Sequence, residues 1–252
     1  MEQAAFGVDR ERSREEWEEA IRIVTAMWRE EHFEWDSPSF RFPRRMVTPK
    51  PWQDPHPPAW MAATSAGSSA VAGQNQLGLL SFSIMQPLEA MAAQIKAYRD
   101  AWASPTSKPI TDVATNKVAA YTLVHCAETM DQAVDNGIWP SVAWWYKSIA
   151  EFWLQWEAPY MTEEAKEKMF PGLRAMGSGE VPVQQFVDAD MIVVGDPERC
   201  FEKMRHYADL GVDQLICYVQ FGYHSHESTM KTIELLGKEV RPELEKYVAA
   251  KR

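Results

Sequence analysis

The chain has 252 residues, 46% of them apolar and 25% charged, which is enough apolar material for the core of a large globular protein. Its formal net charge of −10 argues against nucleic acid as a partner, because acidic surfaces are repelled by phosphodiester backbones. Three widely spaced cysteines argue against a zinc site or a disulfide framework. The sequence shows neither an apolar signal segment nor a run of roughly 18 apolar residues, so we expect a cytoplasmic protein with no membrane partner.

The first elements are predicted to be a helix, an aromatic excursion and a stiff connector. Residues 9–32 carry apolar side chains at helical spacing and predict an amphipathic helix. The stretch "FEWDSPSFRF" predicts a hairpin or an irregular excursion around Asp36-Ser37-Pro38. "TPKPWQDPHPP" (48–58) holds five prolines in eleven residues, so we expect an extended connector without ladder hydrogen bonds.

From residue 59 the chain alternates between apolar strands and helices. The strands are expected at 59–63, 77–83, 117–127, 191–195 and 214–221, and the helices at 66–76, 87–103, 197–210 and 226–247. Nearly all-apolar strands alternating with helices favour a parallel sheet covered by helices.

Residues 128–190 break this alternation, because they are mostly helical in pattern and rich in tryptophan. We interpret them as a helical insertion that caps one face of a single domain over 1–252. Five strands are counted where a closed (β/α)8 barrel needs eight, so an α/β barrel would be incomplete by about three β/α units.

Small hydroxylated residues stand where the strand at 59–63 gives way to a helix, in "PPAWMAATSAGSSAVAG" (57–73). The first turn of a helix exposes unpaired N–H groups, to which Thr64, Ser65 and Ser68 add hydroxyl donors. This pattern is typical of a plain helix cap, and it also fits a neutral phosphate cradle. The absence of a lysine excludes a Walker loop.

Three stretches resemble the bacterial-luciferase-like family of flavin-dependent monooxygenases. "PKPWQDPHPPAWMAATSAGSSAVAGQNQLGLLSFS" is similar to the central family signature. "MIVVGDPERCFEKMRHYADLGVDQLICYVQFGYHSHESTMKTIELLGKEVRPEL" is similar to the last two β/α units. "RSREEWEEAIRIVTAMWREEHFEWDSPSFRF" is similar to an earlier helix-and-excursion segment. The resemblance covers nearly the whole chain.

The resemblance implies a (β/α)8 TIM-barrel fold that binds FMN at the carboxyl ends of its strands. Such enzymes use reduced FMN, commonly from a separate flavin reductase, and O2 to oxygenate an organic substrate, and they often form dimers. It also implies that Thr64, Ser65 and Ser68 hold the flavin phosphate, with Ala62 and Ala63 close to the flavin. Thr64 stands where some luciferase-type members have a carboxylate.

The chain departs from the family pattern at its N-terminal side, where relatives carry about three further strands. The resemblance assigns most flavin-ring contacts and the luciferase catalytic histidine to those units, so the catalytic residues here are unknown and the chain reads as N-terminally truncated. Three hypotheses remain: a monooxygenase using FMN, an oxidoreductase using a deazaflavin coenzyme, and a non-catalytic flavin-binding or dimerising remnant.

Two further segments offer candidate residues for a substrate pocket. "YHSHE" could form a weak metal site, a plain first helical turn at His226 and Glu227, or a His224 that faces the substrate or the flavin. The tryptophan-rich stretch 139–156 could be core or dimer packing, or the aromatic wall of a hydrophobic pocket that includes Trp144 and Trp145. Otherwise we expect no metal.

Overall fold

The computed structural model describes residues 6–9, 11–82, 84, 86–156, 158–178 and 181–251. The chain divides into two compact units. The first unit comprises the described residues up to Ser81 together with Ala93–Ala119, and the second comprises Phe82–Ala92 and the chain from Ala120 onward. One helix and one strand therefore begin in one unit and end in the other.

The first unit holds the hairpin, two parallel strands and the helix between them. Its elements are α1 (Ser13–Arg29), β1 (Phe33–Asp36), β2 (Arg41–Arg45), β3 (Trp60–Ala63), α2 (Ala66–Gln74), β4 (Gly78–Ser81), most of α3 (Leu88–Trp102) and the first residues of β5 (Val118–Cys126).

The aromatic excursion is an antiparallel hairpin. β1 pairs with β2 so that Trp35 faces Phe42, with an irregularity between Phe33 and Trp35. Phe33 is 1% exposed and packs against the apolar face of α1 through Ile23 and Ala26. An isolated two-stranded hairpin is only marginally stable, so the aromatic residues of this hairpin stabilise it by packing against α1.

β3 and β4 are parallel, as the apolar alternation predicted. Trp60 pairs with Gly78 and Ala63 with Ser81. The Leu79 N–H donates to the Lys117 carbonyl at 2.9 Å, which connects β4 to the start of β5. Helix α2 crosses between the two strands and carries the hydroxylated turn at its N-terminus.

The second unit contains the remaining strands and the tryptophan-rich helices. Its further elements are α4 (Met130–Asp135), α5 (Ile138–Trp156), a 3₁₀ turn (Ala158–Tyr160), α6 (Glu163–Ser178), α7 (Val183–Asp188), β6 (Ile192–Gly195), α8 (Pro197–Asp209), β7 (Gln214–Tyr218), α9 (His226–Leu235), a π-helical turn (Leu236–Val240) and α10 (Arg241–Ala250).

β5 is the central strand of this unit. It runs parallel to β6, with Leu123 opposite Ile192 and Cys126 opposite Gly195, and β7 also pairs with it. Eight of its nine residues are buried, which is typical of a strand covered on both faces. The α/β fold with parallel strands that the sequence predicted is therefore confirmed.

The predicted element boundaries differ from the observed ones mainly at two places. Residue 83, at the end of the predicted second strand, lies outside the described residues. β7 ends at Tyr218 rather than at residue 221, and the chain turns further on at Gly222, whose φ of +63° lies in the left-handed region. The final helix is interrupted by the π-helical turn just before Pro242, whose ring cannot fit a regular α-helical interior.

The described residues of the segment 128–190 form four helices and a 3₁₀ turn, with α5 packed against α6 and α7. The apolar side of α5 enters the main core of the unit through Val142, Trp145 and Tyr146. Among the helices of the described residues, none combines the length and the apolarity that crossing a bilayer requires.

We predict that Gly73→Ala strongly destabilises the protein. A Cβ at this position would lie 2.3 Å from the Tyr98 carbonyl oxygen and 3.0 Å from the Trp102 amide nitrogen, so α2 and α3 would have to separate. Overpacking of this kind costs about 1–3 kcal/mol, which urea unfolding measures directly. Gly67→Ala is the matched control on the same helix, since its Cβ would meet only Ser65 Oγ at 3.9 Å. Equal stability of the two variants would contradict the packing argument.

Candidate functional site

The hydroxylated turn after β3 is a closed helix cap. Ser65 is the N-cap of α2, and its Oγ accepts a hydrogen bond from the Ser68 N–H at 3.2 Å. In return, Ser68 Oγ accepts from the Ser65 N–H at 3.1 Å, which completes a capping box. Ser69 Oγ donates to the Ser65 carbonyl at 2.8 Å. The hydroxyls of Ser65 and Ser68 are therefore engaged within the turn, as the cap interpretation requires.

Three other groups of the same turn have no partner among the described residues. The N–H groups of Ala66 and Gly67 stand in the first helical turn, where no intrahelical acceptor exists. Thr64 makes no hydrogen bond with the described residues, and residues 64–67 are all exposed. A small anion can therefore reach two amides and one hydroxyl at the positive end of the helix dipole.

The two alanines that precede the turn are placed differently. Ala62 is exposed, whereas Ala63 is 2% exposed and belongs to the core. At Ala63 only the backbone is therefore available to a bound molecule. At Ala62 the methyl group is available as well.

In the second unit, His125 lies in β5 next to its last residue and is fully buried. Its Nδ1 lies 3.2 Å from Thr232 Oγ1 and its Nε2 lies 3.2 Å from Asn136 Nδ2. Thr232 Oγ1 donates its proton to the Cys126 carbonyl at 2.9 Å, so we assign Nδ1 as the donor and Nε2 as the acceptor. Burial, and then the neighbouring His224, lower the pKa of His125 to about 4, so the ring is neutral near pH 7.

His224 stacks directly on His125. The two rings are parallel within 2°, with their centroids 4.5 Å apart, and Phe221 meets His224 edge-on at 4.8 Å. Both ring nitrogens of His224 are shielded from solvent, and neither has a hydrogen-bond partner among the described residues. Burial lowers the pKa of His224, and the Asn136 carbonyl partly opposes this lowering without completing a hydrogen bond.

The segment that carries His224 is fastened on both sides. A Cβ at Gly222 would lie 2.6 Å from the Cα of Ser141, so only glycine allows this close approach to α5. The Tyr223 N–H donates to Ser141 Oγ at 3.0 Å. Ser225 then caps α9 by accepting from the Ser228 N–H at 3.1 Å.

The tryptophan-rich helix divides between core and surface. Trp145 is 7% exposed and packs edge-on against Tyr146 within the main core. Trp144 is 43% exposed and meets the exposed Tyr223 edge-on at 6.2 Å. Three pocket residues were predicted in this unit. Trp144 contacts Tyr223, the residue that precedes His224, whereas Trp145 packs in the core.

An aromatic stack that the sequence analysis missed lies beside the core of the second unit. Tyr121 stacks on Phe82 at 5.6 Å and on Tyr218 at 5.7 Å, and all three rings are half-buried. Burial, and then Tyr218, raise the pKa of Tyr121 to about 12, so its phenol stays neutral. Such a wall suits an apolar ligand.

The metal interpretation of "YHSHE" receives no geometric support. His226 and Glu227 open α9 and are exposed. Over the part of the chain that the structure describes, no group of three or more His, Cys, Asp or Glu side chains is arranged to hold a metal ion.

Comparison with known proteins gives one family and several similar folds. A family model described as "Luciferase-like monooxygenase" matches residues 1–214. Among curated proteins, none matches this chain.

Three solved structures are similar to the chain over most of its length. The monooxygenase RslO1 from Streptomyces bottropensis is 22% identical, with a TM-score of 0.66 over 96% of this chain and 65% of that one. The oxygenating constituent of 3,6-diketocamphane monooxygenase from Pseudomonas putida, in complex with FMN, is 18% identical, with a TM-score of 0.62 over 90% and 62%. The coenzyme F420-dependent tetrahydromethanopterin reductase from Methanopyrus kandleri is 17% identical, with a TM-score of 0.55 over 90% and 62%.

At these identities the likeness shows the fold, and it supports the incomplete α/β barrel predicted from the sequence. The chain spans less than two thirds of the length of each of the three structures.

We predict that His125 makes the protein less stable as the pH falls. The folded pKa of about 4 lies below the ordinary 6.5, so between these pH values the unfolded chain binds a proton that the folded chain rejects. The free energy of unfolding should therefore fall by up to about 3 kcal/mol across this window from His125 alone. Urea unfolding from pH 7 to 4 measures it.

The variant His125→Gln should show a correspondingly shallower pH dependence, while the exposed His226→Gln should keep that of the wild-type protein. Parallel pH profiles for the wild-type protein and His125→Gln would contradict the assignment.

Proposed function

The chain belongs to the luciferase-like monooxygenase family, and on that premise we propose that it binds FMN and serves the flavin-dependent oxygenation of an uncharged, largely apolar organic compound. O2 is the co-substrate, and reduced FMN comes from a separate flavin reductase. The catalytic residues of the oxygen-transfer step are left unassigned. A dimer is part of this proposal.

The turn at 64–68 is the observation that carries the proposal. A flavin phosphate needs hydrogen-bond donors and positive potential, and the N–H groups of Ala66 and Gly67 supply both beside the Thr64 hydroxyl. No lysine or arginine stands in the turn, so binding rests on oriented dipoles alone. The residues present therefore fit the phosphate end of the cofactor.

In this proposal the protein groups bind and orient the cofactor and the substrate, while bound FMN supplies the electron transfer to O2. The capping box fixes the first turn of α2, so the free amides are oriented before the phosphate arrives, and no reorganisation opposes binding. The half-buried stack of Phe82, Tyr121 and Tyr218 supports an apolar substrate, because it offers ring faces rather than charges.

A deazaflavin coenzyme is the second candidate, favoured by the fold similarity to an F420-dependent reductase. Titration of the protein with FMN and with coenzyme F420 separates the two, because the proposal requires the tighter binding to be that of FMN. A chain that binds flavin but supports no O2 consumption with a reductase would be the non-catalytic remnant.

We predict that the wild-type protein binds FMN at least about tenfold more tightly than riboflavin, which lacks the phosphate. Thr64→Glu places a carboxylate beside the free amides and should abolish this preference through repulsion of the phosphate, with riboflavin binding unchanged. Flavin fluorescence titration measures both constants.

Gln53→Glu is the control for this experiment, because it adds the same charge at an exposed position of the proline-rich connector in the same unit. It should leave the preference for FMN intact. Equal binding of FMN and riboflavin by the wild-type protein, or a preference that survives Thr64→Glu, would refute the phosphate site.

A further inference from the structure

His224 is half-buried, and the fold shields both of its ring nitrogens from water. In the described part of the chain, neither of its ring nitrogens has a partner, and both are shielded from water. Buried polar atoms in native proteins are normally paired, so an orphaned imidazole calls for an explanation by function or strain. The backbone around it is fixed by glycine, by a backbone-to-serine bond and by a helix cap, which points to function.

The two stacked histidines differ in what they can still bind. His125 uses both of its nitrogens, on Thr232 and Asn136, and holds the end of β5 to α9. His224 uses neither of its nitrogens. A molecule arriving at this stack therefore finds one donor and one acceptor, and both belong to His224.

The position of His224 is the one at which α/β proteins bind ligands. His125 stands at the carboxyl end of β5, and His224 follows the carboxyl end of β7. Substrates of this class of fold are bound at the carboxyl ends of the parallel strands.

The segment that carries His224 is anchored by groups other than its ring. The anchors of the segment are the Gly222 approach to Ser141, the Tyr223 N–H bond to Ser141, and the Ser225 cap. None of them involves the His224 ring, so rotation about its side-chain bonds leaves these anchors in place and gives up the ring contacts with His125 and Phe221 and the interaction with the Asn136 carbonyl.

We propose that His224 is a substrate-binding residue, which turns from its stack on His125 to hydrogen-bond an oxygen atom of an uncharged organic molecule. The inference rests on the proposed function and names the contact that selects its substrate. A carbonyl or hydroxyl oxygen satisfies the imidazole. A carboxylate is disfavoured, because burial keeps the ring neutral and leaves no cation to offset the charge.

The test uses three probes of one carbon skeleton with the full chain: cyclohexanone, methylenecyclohexane and cyclohexanecarboxylate. With ¹⁵N-labelled histidine, cyclohexanone should shift the ring nitrogens of His224 in a saturable manner and leave those of His125 in place. Cyclohexanone should bind more tightly than either of the other two probes.

Two variants isolate the hydrogen bond from the stack. His224→Phe keeps the ring and loses the nitrogens, so the Kd for cyclohexanone should rise about tenfold while that for methylenecyclohexane stays the same. His226→Phe, two residues further on and exposed, is the matched control and should leave both constants unchanged. Should His224→Phe fail to fold, His224→Gln replaces it, and the spectra of the wild-type protein carry the test.

Unshifted His224 nitrogens, unchanged cyclohexanone binding by His224→Phe, or tighter binding of the carboxylate would each overturn the proposal. FMN binding by His224→Phe separates this inference from the proposed function. If the wild-type protein and the variant both bind FMN, but cyclohexanone neither shifts the His224 nitrogens nor binds the variant more weakly, only the inference on His224 fails. If the wild-type protein binds no FMN, the proposed function fails by itself.

Discussion

The capping box between Ser65 and Ser68 decides what the end of β3 can bind. Its reciprocal hydrogen bonds consume two hydroxyls and the N–H groups of both serines, so these groups are no longer free for a ligand. The same bonds hold the first turn of α2 in place and leave the N–H groups of Ala66 and Gly67 exposed together. An anion site made only of neutral groups depends on that rigidity, because its dipoles act only when they are already aligned.

Uncharged groups also make up the histidine stack of the second unit. One hydroxyl, that of Thr232, accepts from the Cys126 N–H at 3.3 Å, donates to the Cys126 carbonyl and meets His125. This arrangement holds His125 in place, while burial and the neighbouring His224 lower its pKa, and burial also lowers the pKa of the half-buried His224. A face built from neutral imidazoles and half-buried aromatic rings is suited to an apolar molecule with an uncharged oxygen, and poorly suited to ionic substrates.

The sequence alone was sufficient to predict the strands and helices and to recognise the family, because both depend on local sequence patterns. Apolar runs alternating with helices predicted the strands to within a few residues, and the helix expected from residue 197 begins there as α8. The family resemblance is confirmed by the match over residues 1–214. The close approach of Gly222 to Ser141 was missed because the two residues are far apart in sequence. Likewise, Thr232 lies 107 residues from His125, and no spacing rule connects them. At the hydroxylated turn, composition predicted a helix cap or a phosphate site but could not tell which donors the protein would use itself.

A crystal structure of the chain with FMN tests the central claim most directly. The account predicts that phosphate oxygens lie within hydrogen-bond distance, about 2.7–3.2 Å, of the amide nitrogens of Ala66 and Gly67, with the Ser65–Ser68 bonds unbroken. A phosphate bound away from this turn, or one that opens the capping box to reach the two serine hydroxyls, would contradict it.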